Sequence, residues 1–217
     1  MSSRSESVGG PAATADRILD AALTLGERVG WDAVHLHDVA HASGIRLADV
    51  GHHFPSKDAL AERWFDRADV ALRAAPQSPG WHACSPRERL HRAVFCWLDA
   101  LAAHRGLTAS MLRYKLQPDH LHLQALGLIR ISRTVQWIRE VAGLPSVGWR
   151  REMEEAVLTA IYVATFTCWL TDDSPGGART HTFLDRQLAL AEAGALRLGA
   201  RSVGAPPAEP QGLHPLL

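Results

Sequence analysis

Three observations in the sequence predict an all-α fold. Apolar residues recur every three or four positions from Ile18 to Leu198, the period of helices that bury one face. No segment alternates apolar and polar residues with the two-residue period of a strand, and no repeat of about 20 to 50 residues is present. Glycine and proline punctuate the periodic segments at Gly30, Gly44, Pro55, Pro76, Pro79, Gly143 and Pro145. About nine helices result. Three form an N-terminal helix-turn-helix domain, and the others form a larger helical domain.

Residues 1–13 (MSSRSESVGGPAA) are rich in Ser, Gly and Pro and read as a disordered arm. The helix-turn-helix domain is expected over 14–57. Its first helix places Ile18, Ala22, Leu25 and Val29 on one face and stops at Gly30. Leu36, Val39 and Ala40 mark a short second helix. Ala42-Ser43-Gly44 is a tight turn, because glycine takes the left-handed conformation a side chain resists. Ile45 and Val50 anchor a third helix, ended by His53-Phe54-Pro55. Two helices joined this way place the second in the DNA major groove.

The larger domain is expected over 58–199. A fourth helix runs from Lys57 to about residue 75, carrying Leu60, Trp64, Ala68 and Ala71 on one face, and PQSPG at 76–80 reads as a linker. Ser85-Pro86 with Glu88 is a helix start: a hydroxyl cap, a first-turn proline and an acid behind it. The fifth helix follows and stops at His104-Arg105-Gly106. A sixth is expected over about 108–116, a seventh over 119–141, an eighth over 150–171 and a ninth over 178–198. Residues 200–217 are rich in Pro and Gly and read as a disordered tail.

Composition is that of a globular protein: 217 residues, 47% hydrophobic, 21% charged, formal net charge zero. There is no global pull toward nucleic acid or anionic lipid. Three cysteines, Cys84, Cys96 and Cys168, have no metal-ligand spacing and suit reduced thiols in a cytoplasmic setting. No signal peptide is expected, and the uncharged run 156–170 is short for a bilayer. His37 and His41, or His120 and His122, are pairs without the further ligands of a metal site, so no metal and no cofactor are expected. No nucleophile elbow, HExxH or paired-carboxylate signature marks an enzyme.

The segments ILDAAL at 18–23, Gly30-Trp31, Asp38-Val39-Ala40, Gly44-Ile45 and HHFPSKDAL at 52–60 resemble, without a gap, the DNA-binding domain of the TetR family of transcriptional regulators. Less specifically, TAIYVATFTCWLTDDSP at 159–175 resembles a helix and turn of the family's effector-binding domain. The resemblance implies a homodimer on double-stranded operator DNA, most simply a repressor, responding to a small apolar effector. By position, Arg46, Leu47, Asp49, Val50, His52, His53 and Lys57 are the expected DNA-binding residues. The chain departs from the family where it has Val34-His35 and Arg46 in place of capping hydroxyls. It departs again with Leu47, Asp49 and Gly51 in place of the usual Lys, Thr and Tyr of the recognition helix. Over 1–60, five basic residues against eight acidic ones leave a formal charge of −3, with five histidines besides. DNA-binding domains are normally basic.

In the second domain, Trp97, Met111, Tyr114, Trp137, Tyr162, Thr165, Phe166 and Trp169 are the expected effector-pocket residues. They combine apolar walls with a few polar handles, as ligand sites do. A helix apolar on nearly every side needs cover on nearly every side. The dimer interface is therefore expected on the last two helices, through Val157, Ile161, Ala164, Leu184, Leu188, Ala191 and Ala195. The C-terminal half also resembles the accessory protein of ubiquinone biosynthesis, a TetR-like fold that binds isoprenoid lipid and does not act on DNA. A ligand-binding module that has lost DNA binding is therefore the alternative. The tail lacks the amphipathic membrane helix of that protein, and no membrane partner is expected.

Overall fold

The computed structural model describes residues 10–115 and 121–203. The arm before residue 10, the tail after 203 and the His120/His122 pair lie outside the described side chains. Nine α-helices are present among the described residues, and no strand: α1 (Pro11–Val29), α2 (Leu36–Ser43), α3 (Leu47–His53), α4 (Lys57–Ala74), α5 (Pro86–Leu101), α6 (Arg105–Lys115), α7 (Leu121–Ala142), α8 (Trp149–Leu170) and α9 (Ala178–Val203).

The head is α1 to α3. Ile18, Leu19, Ala22 and Leu23 of α1 are buried with Trp31, Val34, Val39, Val50 and Phe54. Gly44 adopts φ 68°, ψ 24°, the left-handed cap that lets the Ile45 amide donate to Ala40 O at 3.1 Å. The Arg17 guanidinium also donates to Ser43 O at 3.3 Å, tying α1 to the turn. Neither His35 nor Arg46 caps its helix through the side chain, as the missing hydroxyls imply. Ser56 does cap α4, accepting from the Ala59 amide at 3.2 Å.

α4 belongs to both halves of the molecule. Toward the head, Arg63 and Arg67 reach Asp16 at 3.2 and 3.3 Å, and Arg67 reaches Asp20 at 2.6 Å. Toward the body, Glu62, Asp66 and Asp69 follow one another at turn spacing and meet cations from α6 and α7. Arg130 reaches Glu62 at 2.7 Å, Asp66 at 2.5 Å and Asp69 at 3.0 Å. Arg133 adds a contact to Asp66 at 3.0 Å, and Lys115 pairs with Glu62. Asp69 is buried and also accepts from Trp97 Nε1 at 2.8 Å and Thr134 Oγ1 at 3.1 Å. Three acids thus face three cations in a seam that is buried at Asp69, Lys115 and Arg130 and open to solvent at Asp66 and Arg133.

The head is docked on the body elsewhere too. Leu107 of α6 packs so closely on Gly26 that a Cβ there would come within 2.8 Å of it. Trp64 donates to Thr108 at 3.0 Å, and His104 meets Glu27 at 2.5 Å.

The helix limits differ from the sequence expectation in four places. α1 begins at Pro11, because proline suits a first helical turn, so residues 11–13 are helical. Gly106 does not stop a helix. It lies inside α6 without a positive φ, and Arg105 is anchored to Asp172 O at 2.5 Å. The stretch expected as a linker is docked: it joins two 3₁₀ turns, Ala75–Gln77 and Trp81–Ala83, with Trp81 buried. α9 continues to Val203. The capping box of α5 is as expected: the Glu88 amide donates to Ser85 Oγ at 3.3 Å and the Ser85 amide to Glu88 Oε2 at 2.7 Å.

By length and composition α8 is the one helix among the described residues that could cross a membrane. Its first turns carry Arg150, Arg151, Glu152, Glu154 and Glu155, and Glu154 and Glu155 pair with Arg139 at 3.3 and 3.4 Å. The charge-free remainder spans roughly 22 Å at about 1.5 Å per residue, short of a hydrocarbon core of about 30 Å.

The α4 seam sets a stability prediction. Burial pushes the Glu62 carboxyl up, but the bonds from Lys115 and Arg130 outweigh it and leave the group below the usual range. A carboxyl depressed on folding stabilises fully above its unfolded pKa, and that stability is lost as pH falls through the folded value. Urea denaturation should therefore show stability dropping below about pH 4. Arg130→Met removes a close cation from the buried Asp69, which keeps Trp97, Thr134 and Arg133, so it should cost about 1–3 kcal/mol at pH 7. Much of that should return at low pH, where the acids are neutral.

Candidate nucleic-acid interface and apolar sites

α3 presents a short exposed face. Arg46 precedes it, and its guanidinium grips Asp49 one turn on, Nε to Oδ2 at 2.8 Å and Nη2 to Oδ1 at 3.0 Å. The pair neutralises the acid that would otherwise repel a phosphate backbone. It also engages two of the five guanidinium N–H groups that could reach a base edge. Leu47 is 51% exposed and available for an apolar contact such as a thymine methyl. Gly51 and His52 are exposed, and His53 is half-buried with its ring 5.8 Å from that of His52. On the neighbouring α2 side, His35 and His37 stack at 5.4 Å.

Two expected DNA-binding residues are placed otherwise. Val50 is 0% exposed and belongs to the head core, because its face of α3 packs on α1 and α2. Lys57 is a strut. Its ammonium donates to the carbonyls of Trp31 and Asp32, both at 3.2 Å, and lies 4.2 Å from the Tyr114 ring centre. Burial lowers its pKa despite Asp32 and Asp58. Tyr114 accordingly stands at the joint between head and body.

The residues expected around an effector pocket separate into three groups. Trp97, Tyr162, Phe166 and Trp169 pack ring on ring: Trp97 to Tyr162 at 5.3 Å, Trp97 to Phe166 at 5.2 Å, Phe166 to Trp169 at 5.9 Å. Phe65 of α4 stacks on Trp97 at 6.1 Å, and Met111 and Thr165 are buried. This is close-packed core. Burial pushes the Tyr162 phenol well above its ordinary range. Thr165 Oγ1 is buried without a hydrogen-bond partner among the described residues. Tyr114 is at the joint. Trp137 is 38% exposed under Arg73, 5.3 Å from its ring, so it lines nothing internal.

The expected dimer residues also divide. Ile161, Leu184 and Leu188 are buried within the chain, since α8 and α9 pack on each other through them. Val157, Ala164 and Ala195 are exposed and Ala191 half-buried. The outward apolar stripe of α8 instead runs Trp149, Met153, Val157 and Val163, joined on α9 by the exposed Leu190 and Leu196. An open apolar cleft of about 420 Å³ lies between α5, α8 and α9, floored by Leu90, Leu158 and Leu188. Sequence reading missed it. The trace was the small residues Ala191, Gly194 and Ala195 at one-face spacing on α9.

An exposed short helix after a left-handed glycine turn, carried on an all-α body, defines a helix-turn-helix transcriptional regulator. Residues 18–63 match the family described as bacterial regulatory proteins, tetR family, and residues 127–194 match the COQ9 family. A TetR transcriptional regulator from Nitrosomonas europaea is similar at 38% identity, over 82% of this chain and 97% of that one, with a TM-score of 0.74. Regulators from Rhodococcus sp. RHA1 (18% identity, 82% and 95% covered, TM-score 0.63) and Streptomyces coelicolor (21%, 94% and 94%, TM-score 0.60) share the fold. No curated protein sequence matches the chain. The chain belongs to the TetR family of transcriptional regulators.

The strut role of Lys57 predicts a stability phenotype. Lys57→Ala removes two hydrogen bonds from a cation and should cost about 1–3 kcal/mol in urea denaturation. His52→Ala, on the exposed face, should leave the midpoint unchanged within error.

Proposed function

We propose that the protein is an effector-responsive repressor that binds operator DNA as a homodimer. The observation that carries the reading is the pairing of an exposed α3 face with an uncovered apolar stripe along α8 and α9. A second copy on that stripe would bury the exposed tryptophan, methionine, valines and leucines and set two α3 helices side by side. Symmetric dimers are the commonest oligomers, and dimeric helix-turn-helix proteins read half-sites about one helical turn apart. An effector would act by binding the two head spacings unequally. α4, locked to both halves, is the element that would transmit the difference.

A second reading has one observation of its own: the match of residues 127–194 to the COQ9 family. On it, the protein is a ligand-binding module that no longer uses DNA. The Arg46–Asp49 pair and the formal charge of −3 over 1–60 fit this reading.

Binding to the DNA upstream of its own gene, measured at low salt, separates the two. Few free permanent cations face the groove, and each phosphate contact adds only about −0.9 to the log–log salt slope, so the slope should be shallow. A folded dimer that fails to bind this DNA at pH 6.5 would leave the module reading in place.

Sedimentation should give about twice the 23.7 kDa chain mass. Val163→Glu, on the outward stripe, should yield a folded monomer. Leu188→Glu should unfold the chain, because Leu188 is core. A monomeric wild type at micromolar concentration would remove the dimer from the proposal.

A further inference from the structure

We propose that Arg46 and Asp49 act together as a preset reader of one guanine in each half-site, Arg46 making the base contact and Asp49 serving as its positioning residue. The inference rests on the regulator reading above and adds to it a base and two roles. Both side chains reach solvent, Arg46 at 84% exposure and Asp49 at 44%, so the pair is available to a duplex.

The atoms engaged decide what is left open. Asp49 takes the side edge of the guanidinium, Nε to Oδ2 at 2.8 Å and Nη2 to Oδ1 at 3.0 Å. Three of the five guanidinium N–H groups are left open by this contact. Two of them, one on Nη1 and one on Nη2, run parallel at the far end of the fork. A parallel pair of donors needs two adjacent acceptors. In the major groove guanine offers them, as N7 and O6. Adenine sets a donor beside its N7, cytosine presents a donor, and thymine a single O4.

A phosphate also offers paired oxygens, and charge decides between the two partners. A phosphate contact draws its strength from net positive charge. The Arg46–Asp49 pair has none, and its carboxylate would approach the strand together with the guanidinium. A base edge is neutral and rewards direction instead. Holding the fork in place before DNA arrives also lowers the cost of ordering a long, rotamer-rich side chain on binding.

The surroundings permit the approach. Arg46 stands at the entry to α3, and in helix-turn-helix proteins the N-terminal residues of the second helix reach base edges. Ala48 and Gly51 are exposed on α3 and carry little or no side chain, and a Cβ built at Gly51 meets nothing within 4 Å. α3 can therefore lie close to the groove floor. Lys57, beyond the end of α3, is turned to the carbonyls of Trp31 and Asp32 and does not compete for the same edge.

Selection from a random duplex library by the full-length protein tests this without knowledge of the operator. Wild type should enrich a motif with a fixed guanine in each half-site. Changing that guanine should weaken wild-type binding by roughly 5- to 150-fold, the range of one bidentate base contact. Arg46→Ala should accept all four bases at that position and keep its preferences elsewhere in the motif. Arg46→Lys, a point charge without the fork, should not restore the guanine. Asp49→Ala should raise affinity for every duplex, and the log–log salt slope should steepen by about 0.9 for each phosphate newly contacted. Its guanine discrimination should fall, because the freed guanidinium can turn to a phosphate. That fall reports positioning, since an acid acting only through its charge would change affinity for all sequences alike. Exposed ion pairs contribute little to stability, so the urea midpoints of all three variants should match wild type. An Arg46→Ala motif identical to that of wild type, or a uniform loss across all duplexes, would overturn the guanine contact. Undiminished discrimination in Asp49→Ala would overturn the positioning role. A folded wild type that enriches no sequence would overturn the regulator reading, and the guanine contact with it.

Discussion

The contact between Arg130 and the acidic face of α4 is the constraint on which the rest depends. α4 is held by salt bridges on two sides: Arg63 and Arg67 fasten it to α1, and Glu62, Asp66 and Asp69 fasten it to α6 and α7. Buried charges tolerate little displacement, because a lost partner leaves a desolvated ion. Asp69 extends the seam inward to Trp97 and Thr134, so polar seam and aromatic core are one packing unit.

Beside α4, the rings of Trp97, Tyr162, Phe166 and Trp169 pack on one another. The open cleft lies at the other end of the body, against α8 and α9, where the outward apolar stripe begins. In the proposed dimer, α4 would carry a change in how two copies meet to the position of their α3 helices.

The DNA-facing chemistry is spare. Arg46 and Asp49 pair with one another and Lys57 is turned to backbone carbonyls, while Leu47, Gly51, His52 and the α2 histidines His37 and His41 are exposed.

The sequence by itself determined the helices, the Gly44 turn, the caps at Ser56 and Ser85, the missing hydroxyl caps and the family. All are local: they follow from periodicity, from one residue's φ preference or from hydrogen bonds three residues apart. It also marked α8 as apolar on nearly every side over 156–170. Only the tertiary structure decided which of that surface stays exposed. Val157 and Ile161 are one turn apart on α8, yet the first is exposed and the second is buried, and periodicity alone cannot orient the stripe. Val50 and Lys57 were assigned to DNA by position, but packing turned one into the head core and gave the other to Trp31 and Asp32. Arg130 carried no signal at all in the sequence, since its three acids lie more than sixty residues away on α4. The aromatics could not be sorted into wall or core for the same reason: a cavity is a property of what fails to reach a place, and that depends on residues from three helices distant in the chain.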